Sequence, residues 1–406
     1  MALSVLLAVI SWHTAWNLGG LAVAAGYALA VTAAMVLLAP LLTDALGRAP
    51  ALVLPVLVTA CVAALVVAFV AGVPAAYGDA LGVGSDRADA LNVALSQLAQ
   101  GHYPYTATTY LGNPITPLPG ALLLAAPFWW ITGNAAWQNL AWLLLLLPLL
   151  HGGRRLRAGP TVLWVLVAFG GLEVIREFAV GDDLVTGAVP AVAAVALVLR
   201  AARRWSPWGL AGAAVVLGVA TCTRPHMVLV VVIVVAAAGV VAGARQAAVV
   251  GAGALLVWAA LVVPFLLGGT TRFSPLHTVA KVTGDRAITV GIVVIALGAL
   301  ALLLVALRVL RPSSPEAVAW ACASVLFAPS VLSLARRLLG GPAADVDLTL
   351  GAAAVPFAVW AVASAMLRPP PTSSGIPLLV GQELADLGEK QRRLLLSTRG
   401  SGDPPR

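Results

Sequence analysis

Asp86 and Asp89 stand in the longest loop between apolar runs, Gly82-Val-Gly-Ser-Asp-Arg-Ala-Asp-Ala-Leu, which runs on to Gln100-Gly-His-Tyr-Pro-Tyr. Leu91, Leu95 and Leu98 recur at helical spacing, with Asp89, Asn92, Ser96 and Gln100 off that stripe. The spacing predicts a helix lying on a membrane surface, starting at Asp86 and closed by Gly101. A carboxylate at a helix start has two available roles. It can answer the helix dipole, or it can take a proton from a substrate hydroxyl as a general base. Tyr103, Tyr105 and Tyr110 have the amphipathic rings that suit a membrane interface. Pro114, Pro117 and Pro119 then turn the chain back toward the bilayer.

Two further groups have chemistry-bearing side chains. Gly181-Asp182-Asp183 opens one apolar run, and the next run returns to Thr223-Arg224-Pro225-His226. Arg224 is either a snorkelling anchor or a phosphate ligand, because the guanidinium fork matches phosphate oxygens. After Pro264-Phe265 comes a loop with Arg272, His277, Lys281, Asp285 and Arg286, which is either a solvated loop or a concentration of cations gathered for an anionic ligand.

The elements that must position these groups are membrane helices. Of 406 residues, 61% are hydrophobic and 10% charged, against about 25% charged in a soluble domain. Continuous apolar runs exclude a soluble enzyme, a disordered chain, a coiled coil and an outer-membrane barrel, whose strands alternate. The reading is an all-α polytopic membrane protein of about 11–12 spans, near 18–43, 51–73, 135–150, 161–180, 184–200, 208–223, 227–244, 247–267, 287–307, 317–334 and 348–367. Residues 1–12 are either a short span or an interfacial segment. Residues 116–131 are best read as partial or re-entrant, since a full crossing there would misplace one flanking loop.

The arginines set the orientation. Arg154, Arg155 and Arg157, then Arg200, Arg203 and Arg204, then Arg245, then Arg308 and Arg311 fall on one side, cytoplasmic by the positive-inside rule. Asp79, Asp86, Asp89, Glu173, Glu177, Asp182, Asp183, Asp285, Asp345 and Asp347 fall on the other. The net charge of +8 therefore points to orientation rather than to nucleic acid. Cys61, Cys222 and Cys322 lie in spans without ligand spacing, so neither a disulfide framework nor a metal cluster is expected. No basic segment precedes the apolar start, so no cleavable signal peptide is read. The polytopic domain covers 1–367. Residues 368–406 read as a cytoplasmic Pro/Ser-rich linker and an amphipathic tail helix near 380–397.

Taken in order, these features resemble the GT-C superfamily of polyprenyl-phosphate-dependent glycosyltransferases, in particular the branch containing actinobacterial polyprenol-phosphate-mannose-dependent mannosyltransferases. The matching pieces are the early acid Asp86, the turn Gly101-His-Tyr-Pro-Tyr, the re-entry Asn113-Pro-Ile-Thr-Pro-Leu-Pro, the acidic start Gly181-Asp-Asp, and Gly218-Val-Ala-Thr-Cys-Thr-Arg-Pro. Two positions depart from the usual pattern: Ala90 stands where many members have Tyr, and Arg224 where many have Lys.

The resemblance implies a plasma-membrane transferase that works on the extracytoplasmic face. It would move a sugar, mannose by preference, from a polyprenyl phosphate to a glycolipid or cell-envelope glycan. Asp86 would be the catalytic base. Asp89, His102, Tyr105, Asp182, Asp183, Arg224, His226, Arg272, His277 and Lys281 would bind substrate, the cations among them stabilising the leaving phosphate. No cofactor or metal is expected beyond the lipid-linked donor. The alternatives are a lipid or solute transporter or flippase, with ionisable residues nearer the bilayer midplane, or an inactive scaffold of the same fold.

Overall fold

In a computed structural model of the chain, residues 1–77, 85–204, 206–269, 273–275, 313–338 and 348–368 are described. The expected segments around Arg272, His277 and Lys281, the span at 287–307 and the tail helix lie outside them. The described residues from Met1 to Met366 belong to one compact unit.

The first part of that unit is built from α1 (Ala2–Ile10), α2 (Trp12–Ala33), α3 (Ala39–Arg48), α4 (Val53–Tyr77), α5 (Arg87–Ala99), α6 (Pro119–Thr132), α7 (Trp137–Leu150) and α8 (Ala158–Gly170). There follow α9 (Leu172–Val180), α10 (Val189–Arg204), α11 (Pro207–Thr221), α12 (Val228–Ala242), α13 (Ala244–Leu267), α14 (Pro315–Leu338) and α15 (Val355–Met366). Extended pairing among the described residues is confined to an isolated bridge between Thr108 and Pro114. Helix is what apolar sequence must adopt in hydrocarbon, because only helix satisfies every backbone group within the segment.

The protein is thus an all-α polytopic membrane protein. Among the described residues, six helices are long and apolar enough to cross a bilayer, or seven if a bent pair counts as one span. That count is below the eleven or twelve expected, partly because α7, α11 and the apolar part of α14 are shorter than a full crossing.

Three boundaries differ from the sequence expectation. Residues 1–12 hold the short helix α1, and its Leu3, Leu6, Leu7 and Ile10 are buried in the main core. The run 161–180 is two helices, α8 and α9, meeting at 67°. Gly171 breaks them with extended backbone, and a side chain there would collide with Val174 and the Val167 carbonyl. Within α2 the backbone leaves helical geometry at Gly19 and Gly20, the latter with a positive φ that favours glycine.

The segment 116–131 becomes α6, whose 14 residues are shorter than a full crossing. At its start Leu118 N–H donates to the Thr223 carbonyl (3.1 Å), and just past its end Asn134 accepts from Asn92 of α5 (3.2 Å). α6 therefore lies along α5 at one end of the bundle.

That end also holds the Arg224–Asp183 contact and a hydrogen bond from the Tyr103 hydroxyl to the Phe265 carbonyl (2.8 Å). The loops with Arg154, Arg155 and Arg157, the end of α10 and the start of α13 form the opposite end, one helix length of roughly 24 Å away.

Small residues allow the helices at the acidic end to approach closely. A side chain on Gly120 of α6 would collide with the Val219 and Cys222 carbonyls of the α11 terminus. A Cβ on Gly218 would lie 2.8 Å from the Ala254 carbonyl oxygen and 2.6 Å from Val257 Cβ of α13. Gly218→Ala is accordingly expected to destabilise by about 1–3 kcal/mol. Gly212→Ala, where nothing lies within 4 Å, should be neutral or slightly stabilising. Thermal melting of the two variants in detergent checks the contrast.

Candidate active site

The sequence Ser85-Asp86-Arg87 meets Gly181-Asp182-Asp183, and each pair of neighbours splits its partners. Asp182 accepts from the Ser85 hydroxyl and from Arg87 Nη1 (3.2 Å). Arg176 Nη2 adds a contact at 3.3 Å. Asp183 instead pairs with Arg224 Nη2 at 2.6 Å, and Arg224 Nη1 donates to Thr116 Oγ1 at 3.4 Å.

Asp86 faces elsewhere. It occupies the N-cap position of α5, yet its side chain makes no capping hydrogen bond. Its Oδ2 accepts from Thr109 Oγ1 (2.6 Å) and Asn113 Nδ2 (2.8 Å), both on the turn that closes the Thr108–Pro114 bridge. Oδ1 makes no hydrogen bond among the described residues. The carboxylate is thus held by one oxygen and presents the other, half-buried, at the end of a fixed helix. Asp89, one turn on, accepts from the Tyr110 backbone N–H (2.8 Å) and helps hold the same turn.

α5 has the predicted form. Leu91 and Leu95 are buried, Leu98 lies at the edge, and Gly101 closes the helix with a φ of +75°. His102 is exposed, and its backbone N–H returns to the Gln97 carbonyl.

Tyr105 corrects the expectation of an interfacial, substrate-facing ring. It is 3% exposed and packs edge-on against Phe265 and Phe273, with Tyr103 beside it. Burial, with smaller contributions from Cys222 and Tyr103, pushes its ionisation far above the usual phenol range. The hydroxyl has no hydrogen-bond partner among the described residues. This residue is a structural wedge and not an acid–base group near neutrality. His226 is half-buried beside Arg224, and its Nε2 is enclosed without a hydrogen bond among the described residues.

Asp182, expected as a substrate ligand, is instead committed to protein contacts. It is 1% exposed and belongs to a buried charge network that sequence reasoning did not assemble. Arg176 grips Glu173 through Nε and Nη2 at 2.7–3.2 Å, and Thr14 also donates to Glu173. Arg87 reaches Asp182, Glu177 Oε1 (3.6 Å) and Thr349 (3.3 Å). Glu177 Oε2 accepts from Val185 N–H (2.9 Å), and Asn139 Nδ2 donates to the Asp182 carbonyl (2.8 Å). The network staples α5, α9 and the 3-10 turn Thr349–Ala354 that precedes α15 together at the helix breaks. Its sequence signal was the Glu-x-x-Arg-Glu run at 173–177; Arg87 and Asn139 had none.

Two clefts adjoin these residues. One, between Gln138, Asp183, Thr223 and Arg224, has room for about one water molecule (≈20 Å³). The other is an open apolar groove of ≈320 Å³ between α5, α6 and α13, walled by Leu95, Leu98, Leu122, Trp129, Leu261 and Phe265. Among the described residues, no three His, Cys, Asp or Glu side chains are grouped to hold a metal ion. Comparison with protein-family models, curated proteins and solved structures finds no match.

Proposed function

We propose that the chain is a membrane glycosyltransferase of the GT-C kind. In this reading it transfers a sugar, mannose by preference, from a polyprenyl phosphate to a glycolipid or envelope glycan on the extracytoplasmic face, with Asp86 as general base. The observation that carries this reading is the state of Asp86. It sits where a capping acid belongs and does not cap, while Thr109 and Asn113 fix one oxygen and leave the other open.

The chemistry follows from that geometry. The open oxygen takes the acceptor hydroxyl proton as the acceptor oxygen bonds to the anomeric carbon. The bond from that carbon to the phosphate oxygen breaks, and the configuration inverts. Phosphate leaves as an anion, so it needs cations rather than a strong acid. Arg224 is the described candidate. Because it is already paired with Asp183 in a cleft the size of one water, donor binding requires the guanidinium to exchange a carboxylate for a phosphate. The groove between α5, α6 and α13 begins beside the same helices and is apolar, as an isoprenoid chain requires.

The transporter alternative is less well supported. Glu173, Arg176 and Glu177 lie at the α8–α9 break and are tied to one another and to Asp182, Thr14 and Arg87 rather than opening onto a mid-bundle channel. Arg224→Ala is expected to weaken donor binding about tenfold or more, the loss of a charge-assisted pair. The measurement is binding of polyprenyl phosphate to the purified protein. Unchanged affinity would return Arg224 to a purely structural partnership with Asp183.

A further inference from the structure

We propose that the arginine-rich end of the bundle binds an anionic phospholipid in a crevice between α10, α11 and α13. The crevice has a volume of ≈320 Å³ and lies about one helix length from Asp86, so it is separate from the site above. Ala202, Leu210 and Val249 form its apolar wall, and Ser206, Arg245 and Gln246 supply its polar groups.

Its charge is one-sided. No acid lines it. Arg245 is exposed and has no ion-pair or hydrogen-bond partner among the described residues. Arg203 and Arg204 end the adjoining helix, and among the described residues Arg203 is engaged only with the Ser313 carbonyl (3.2 Å). Ser206 already caps α11 through Gly209 N–H (3.2 Å) and keeps its hydroxyl proton for an outside acceptor. Trp208, 88% exposed and next in sequence to the lining residue Pro207, is the ring type that settles at headgroup level.

A soluble anion would use the cations and leave the apolar wall wet. A phospholipid with a negative head fills both, with its acyl chains along Leu210 and Val249 and its phosphate at Arg245, Gln246 and Ser206. Basic crevices between membrane helices take anionic lipid heads on this principle.

The test is native mass spectrometry of the full chain in neutral detergent, titrated with phosphatidylglycerol or with phosphatidylcholine. One phosphatidylglycerol is expected to be retained in preference to phosphatidylcholine. Arg245→Ala should weaken retention about fivefold, and Val249→Trp, which fills the crevice, should abolish it. Arg154→Ala, at the same end but outside the crevice, should leave it unchanged. Equal retention of the two lipids overturns the proposal, as does unchanged retention in both crevice variants. Displacement of the lipid by millimolar inorganic phosphate would assign the crevice to a free anion and overturn the lipid assignment. None of these readouts depends on sugar transfer.

Discussion

Asp86→Asn is expected to lower sugar transfer by about 10²–10⁴-fold, the range for loss of a positioned general base, while folding and donor binding stay intact. The asparagine carbonyl oxygen can still accept from Thr109 Oγ1 and Asn113 Nδ2, the two bonds that fix the native side chain. What disappears is the ability of the second oxygen to take a proton. The loss should therefore fall on kcat, with donor affinity unchanged. Normal kcat in this variant would move the base elsewhere, first to Asp89, whose carboxylate already holds the Tyr110 N–H. Thr109→Val is a useful companion. It removes one of the two bonds to Oδ2, loosens the carboxylate without removing it, and should reduce kcat by far less than Asp86→Asn.

The second large effect is on stability. Arg87→Ala is expected to destabilise by about 3–5 kcal/mol, the penalty for removing one partner of a buried ion pair. Arg87 is the shared cation of Asp182 and Glu177, whose side chains are each 1% exposed. Its removal leaves Arg176 as the nearest cation of the network, already committed to Glu173. Adding Asp182→Asn to Arg87→Ala should recover part of the loss, because it removes the stranded negative charge. Thermal melting in detergent measures both. Equal melting of wild type and Arg87→Ala would show that water reaches the network and that Arg87 is only a solvated contact.

The fold was legible where one local signal decided it. Continuous apolar runs predicted membrane helices, and the spacing of Leu91, Leu95 and Leu98 predicted α5, whose buried face includes the first two together with Ala88, Ala90 and Ala94. The Gly170-Gly171 pair was visible too, but an apolar run extending across it hid a 67° break. Pairings set by the tertiary fold were not legible. Arg87 is adjacent to Asp86 yet acts on Asp182, 95 positions away. Tyr105 has the composition of an interfacial ring, and only Phe265 and Phe273, far along the chain, enclose it. Arg224 was weighed as anchor or phosphate ligand, and its carboxylate partner Asp183 entered neither reading. Asp86 shows the same limit from the other side. Its position could not separate a capping acid from a base, whereas its hydrogen-bond partners favour the second role.

The most direct measurement is transfer of radiolabelled mannose from polyprenyl-phosphate-mannose into membrane glycolipid, with wild type and Asp86→Asn assayed side by side. Label in the glycolipid with wild type, and its loss with Asp86→Asn, is the predicted result. Wild-type protein that melts normally but transfers neither mannose nor arabinose from its polyprenyl phosphate would contradict the glycosyltransferase account.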